Sequence, residues 1–108
     1  MVNKMKFTII WSPDARADFK EILEWYGAKS KPARTLVKEA IFDTILKIQK
    51  QPFIFEKDKF KSPQEDSYRA FTIYSTRITF EIVSDEIHIL RLRHTSREPL
   101  EYYSILNF

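Results

Sequence analysis

The sequence predicts an α+β fold, and three observations carry that expectation. A β-branched and aromatic run stops at a proline near the start, two stretches of helical periodicity follow, and alternation takes over from Tyr68. The expected order is an N-terminal strand, an antiparallel helical hairpin, then a three-stranded antiparallel meander, with both helices packed on one sheet face. At 108 residues, 44% apolar and 15% aromatic, the chain is expected to form a single domain over 1–108 with its own core.

Met5 to Trp11 (MKFTIIW) suits a strand, and Ser12-Pro13-Asp14 suits a helix start. The Ser12 hydroxyl can accept a first-turn amide, Pro13 fits the first helical position, and Asp14 complements the positive end of the helix dipole. Ala15, Phe19, Ile22, Leu23 and Tyr26 recur at helical spacing, which leaves Arg16, Asp18, Lys20, Glu21 and Glu24 for the wet surface. Gly27, the single glycine, is expected as a left-handed C-cap.

Ser30-Lys31-Pro32 signals a second helix, whose stripe of Leu36, Val37, Ala40, Ile41, Ile45 and Ile48 runs until Pro52. So short a connection makes the two helices an antiparallel hairpin. From Phe53 to Ser67, just after Pro52, neither period is sustained, Pro63 interrupts the run, and Lys57, Lys59 and Lys61 cluster, so an exposed basic loop is expected there. Arg69 to Tyr74 and Thr76 to Ile82 both alternate across one short break, as in a β-hairpin. Ser84-Asp85 makes the next turn, and Glu86 to Arg93 (EIHILRLR) is apolar on both faces in its middle, as a central strand should be. Placing the first strand beside this one closes the sheet. Leu100 to Phe108 is an apolar ending that either joins the core or forms part of a partner surface.

Composition removes several function classes. Without cysteine there is no disulfide frame, thiolate metal site or thiol nucleophile. One glycine rules out a glycine-rich phosphate loop, His88 and His94 are six apart with no ligand spacing, and no metal or cofactor is expected. The aromatic signature of an RNA-recognition sheet is missing around Phe71 and Phe80. No leader or membrane span is read in the sequence, so the expected setting is soluble and cytoplasmic. A net charge of +3 is small, and its placement says more. Residues 1–46 carry eight basic and six acidic side chains, whereas Ile87 to Arg97 carries Arg91, Arg93 and Arg97 with no acid.

That last segment, IHILRLRHTSREP through Pro99, is the candidate functional stretch. A buried strand that emerges into Arg91, Arg93, His94 and Arg97 sets guanidinium groups and an imidazole at a rigid rim, suited to a phosphate-bearing or acidic partner. The plainer reading is that these arginines pair with Glu81, Glu86 or Glu98. Pleating points Arg91 and Arg93 to one face and His94, with Leu92, to the other, unless the strand ends or bulges at Arg93.

Taken together, WSPDARADFKEILEWY, the RAFTIYSTRITFEI hairpin and the ILRLRHTSREP ending resemble the RelE/ParE family of type II toxin-antitoxin toxins over about residues 6–99. The ParE-like branch is the nearer. The resemblance implies a small sheet carrying a helical hairpin and a cognate antitoxin that holds the protein inactive; it admits a homodimer. ParE-like relatives bind DNA gyrase and stall replication with no chemistry of their own, and His94-Thr95-Ser96-Arg97 matches where they carry His followed by small and basic residues. RelE-like relatives cleave mRNA in the ribosome. On that alternative His94 would transfer a proton, and Arg69, Arg77, Arg91 or Arg93 would stabilise the phosphorane-like charge. Lys57, Lys59 and Lys61 would hold RNA backbone, and the family's tyrosine would have its counterpart in Tyr102 or Tyr103. No carboxylate is evident beside His94, since Glu65 and Asp66 fall in the loop. A third reading is a nontoxic binding or regulatory module on the same scaffold. For every reading that docks a target, the candidate contacts are Lys57, Lys59, Lys61, Arg91, Arg93, His94 and Arg97.

Overall fold

Ser12 serves both of the elements it joins. In the computed structural model, which describes residues 7–61 and 67–95, β1 (Thr8–Trp11) pairs in parallel with β5 (Glu86–His94), and α1 (Pro13–Lys29) starts immediately after β1. The Ser12 hydroxyl accepts the Ala15 amide at 3.0 Å and donates to the Leu90 carbonyl at 2.9 Å. One side chain therefore caps the helix and satisfies a β5 acceptor beyond the reach of β1, whose last residue, Trp11, lies opposite Ile89.

Ser30 makes the second handover. Its amide donates to the Tyr26 carbonyl at the end of α1, and its hydroxyl accepts the Ala33 amide at the start of α2 (Lys31–Lys50). Gly27 is not the expected C-cap: it has no positive φ and lies inside α1, which continues to Lys29. Its missing side chain instead permits close packing, because a Cβ there would sit 3.1 Å from Cδ of Arg34 in α2. On α2, Val37, Ile41, Ile45 and Ile48 are buried at helical spacing. Leu36, expected in that stripe, is instead exposed, since one residue before Val37 places it about 100° round the helix.

Part of the expected basic loop forms regular structure. Pro52–Ile54 forms a 3-10 turn, and β2 (Glu56–Lys57) pairs with β3 (Tyr68–Ile73), so the sheet gains a short fifth strand at its edge. Two residues carry no readable period, which hid this strand. With β4 (Thr76–Val83) the spatial order is β1-β5-β4-β3-β2, antiparallel except for β1 and β5. Ile78, Phe80, Ile87, Ile89 and Leu92 from the sheet meet Ala15 and Leu23 of α1 and the buried line of α2 in one core.

A register shift fixes which residues of β5 face that core. Arg91 lies opposite Thr79 but Ile89 opposite Phe80, so Leu90 is an extra residue in β5. Ile87 and Ile89 are buried, and after the bulge the buried position becomes Leu92. Without the bulge, Leu92 would face the other side and the arginines would face the core.

Candidate functional site

Because β1 ends opposite Ile89, the last five residues of β5 have a helix rather than a strand beside them. Asp18 of α1, expected on the wet surface, meets this bare edge. Its carboxylate accepts Arg91 Nε at 2.7 Å and Nη2 at 3.2 Å, and also the Leu92 amide at 3.0 Å. The Asp18 side chain is only 13% exposed. A fork-on geometry of this kind is stronger than an ordinary surface pair. Arg91 is thus tied within the molecule, as the plainer reading required, with Asp18, a residue that reading did not name, as a partner.

Beyond this pair a cleft of about 260 Å³ opens between α1 and β5. Ile22, Trp25 and Tyr26 line the helix side, and Leu92, Arg93 and His94 the strand side, with Glu21 alongside Asp18. The His94 ring meets Trp25 edge to face at 5.4 Å, Trp25 meets Tyr26 at 4.9 Å, and Lys29 Nζ stands 4.4 Å from the Trp25 ring centre. Tyr26 Oη donates to the Tyr74 carbonyl at 2.7 Å, which ties α1 to the β3–β4 turn.

Arg93 lies opposite Arg77 in the β4–β5 register. Two like charges in that position would repel, and Asp58 relieves the strain by pairing with Arg77. Arg77 and Asp58 are both buried, and the guanidinium lies 4.7 Å from the Phe60 ring. Asp58 also accepts the Phe60 amide at 3.0 Å, so a residue expected in an exposed loop closes a tight turn over the sheet.

The structure separates the remaining candidates. Lys57 lies on β2, Lys59 stacks on Phe60 and Lys61 on Tyr68, at an edge that β3 and β4 divide from β5. Arg69 donates to the Phe55 carbonyl at 3.1 Å and stands over Phe53. His88 pairs with Glu86 at 3.0 Å. Arg97, Glu65, Asp66, Tyr102, Tyr103 and the tail from Leu100 to Phe108 lie outside the described residues. Arg91, Arg93 and His94 therefore share one cleft, while Arg77, Arg69 and the lysines do not line it. Sequence reasoning missed Asp18, Asp58 and Trp25. The first two find their partners 73 and 19 residues away, beyond any local pattern. Among the described residues, no group of three or more His, Asp or Glu side chains gathers to hold a metal, and no helix is long and apolar enough to cross a membrane.

This architecture and this strand end coincide with a known family. The family model for the ParE toxin of the type II toxin-antitoxin system, parDE, matches residues 9–99. The chain belongs to that family. A solved structure described as a chromosomal ParDE TA system from P. aeruginosa shares the fold of this ParE-family chain, with a TM-score of 0.65. The two are 20% identical, and the match covers 83% of this chain and 97% of the other. No curated protein sequence matches the chain. The RelE/ParE resemblance read from the sequence is thereby established, and with it the standing of this ParE-family protein as a toxin component with an antitoxin as its counterpart.

Proposed function

We propose that this toxin stalls replication by binding DNA gyrase, acting as a docking protein and not as a nuclease. The observation that carries the reading is the fate of the guanidinium groups. Arg91 is forked onto Asp18 and Arg77 is buried against Asp58, so two of the cations that a phosphorane-like charge would need already face carboxylates. Asp18 and Glu21 border the cleft that holds His94, so a scissile phosphate entering there would meet carboxylates as well as guanidinium groups. Protein docking tolerates such mixed charge, because recognition rests on a few aromatic and arginine anchors. Arg93, His94 and Arg97 remain the docking candidates, and Lys57, Lys59 and Lys61 the outer ones.

The antitoxin has a suitable face elsewhere. Leu36, Phe42 and Leu46 are exposed along α2, and Phe53 and Ile54 follow them at the 3-10 turn. An antitoxin segment packed on this apolar strip would hide it from water, and self-pairing through the strip would compete with the antitoxin. Gyrase as the target implies a cytoplasmic site of action.

The test sets two assays side by side on the purified chain: inhibition of gyrase supercoiling and cleavage of mRNA on programmed ribosomes. Supercoiling should be inhibited with mRNA intact. Cleavage without gyrase inhibition would transfer the chain to the RelE-like mechanism, and His94→Ala should then slow cleavage by about 10²-fold or more. Normal growth under unrestrained expression of the folded protein would leave the nontoxic module.

A further inference from the structure

Two large aromatic residues near the end of β5 are exposed although their surroundings hold them, Trp25 by its ring and Tyr74 by its backbone. Trp25 is 48% exposed and Tyr74 49% exposed. Trp25 is fixed from three sides, by edge-to-face contacts with Tyr26 and His94 and by the Lys29 ammonium over its ring. Tyr74 occupies a two-residue turn with Ser75, with φ of 48° and 60°. Both values lie in the left-handed region, where an L side chain is strained and where Asn-Gly is the favoured pair. The strained turn is pinned by Tyr26 Oη on the Tyr74 carbonyl and by the Thr95 amide on the Ser75 carbonyl at 2.9 Å. The fold itself needs only the turn. It does not need a tyrosine at that position, and backbone strain that persists on a surface is characteristic of functional sites.

We infer that Trp25 and Tyr74 form a paired anchor that docks a protein whose matching face is an apolar pocket with carboxylates at its rim. The Trp25 ring is preorganised by its neighbours and the Tyr74 backbone is pinned by Tyr26, which limits the freedom lost on binding, and Trp and Tyr dominate binding hot spots. Lys29 beside Trp25 and Arg93 in the adjoining cleft supply the complement to an acidic rim. The same cations oppose a second copy of this chain. A nucleic acid fits less well, since its phosphate track would pass the Glu21 carboxylate, and Arg91 is already engaged by Asp18.

The inference deepens the gyrase reading and rests on it for the partner's identity. The decisive variant is Tyr74→Asn combined with Ser75→Gly, which relaxes the turn while removing one anchor ring. Its melting temperature should be equal to or above that of the wild type. Its growth arrest at matched protein level, and its inhibition of supercoiling, should each weaken by about 10-fold or more. Trp25→Ala, checked for folding by circular dichroism, should weaken both by a similar factor. Undiminished growth arrest by both folded variants overturns the inference. So does a wild-type chain that binds a single-stranded RNA or DNA 20-mer and loses that binding in the variants, because the partner is then a nucleic acid. A wild-type chain that arrests growth without touching gyrase, with arrest lost in both variants, defeats the gyrase reading and leaves the anchor standing on another protein.

Discussion

Removing the Asp18 carboxylate tests whether the end of β5 depends on α1. Three donors converge on it: Arg91 Nε, Arg91 Nη2 and the Leu92 amide. Bonds to a charged group contribute roughly 1.5–3 kcal/mol in protected settings. Arg91 is 39% exposed, so water takes over part of its solvation once the partner is gone and the loss is correspondingly smaller. Leu92 is buried, so its amide loses an acceptor that water replaces poorly. Together these place Asp18→Ala at about 2–3 kcal/mol of destabilisation, and Asp18→Asn, which keeps an acceptor for Leu92, at about 1 kcal/mol. Urea unfolding of the two variants measures both. Adding Arg91→Ala and Asp18→Ala/Arg91→Ala completes a double-mutant cycle, with an expected coupling of about 1–2 kcal/mol. A coupling below about 0.3 kcal/mol, with both single variants near wild type, would refute the claim that this contact holds the strand end.

Three further outcomes follow from the same geometry. Ser12→Ala removes a helix cap and the donor to the Leu90 carbonyl, and should cost about 1–2 kcal/mol in urea unfolding. Asp58→Ala removes the buried carboxylate that faces the buried Arg77 guanidinium and should cost about 3–5 kcal/mol, enough to depress the calorimetric melting point well below that of the Ser12 variant. Gly27→Ala should stabilise the chain by about 0.5 kcal/mol, because the helix gains a better former and the crowding atom is Cδ of an exposed, flexible Arg34; a lowered melting point would show that Arg34 cannot yield.

Long periodic segments and polar start signals were legible in the sequence because their causes are local. Ser12 and Ser30 cap the helices they precede, and alternation located β3, β4 and β5. The two-residue β2 was not legible, because pairing with β3 and not periodicity defines it. Gly27 misled for a related reason: a glycine permits a left-handed cap but also permits close helix packing, and only the neighbouring Arg34 decides between them. At the site, the alternation of Arg91 and Arg93 against Leu92 and His94 was readable, since pleating alone sets it. The bulge at Leu90, the Asp18 fork and the buried Asp58 were not, because each arises from contacts between distant segments. Those contacts tie Arg91, one of the row of basic residues, to a carboxylate of the same molecule, while Arg93 and His94 line the cleft beside it.

The central claim is that the toxin acts on replication by docking. Pulse labelling of cells expressing the chain without an antitoxin tests it most directly, with thymidine and methionine incorporation followed in one culture. DNA synthesis should fall first while protein synthesis continues. An immediate stop in methionine incorporation, with DNA synthesis failing only afterwards, would contradict the account.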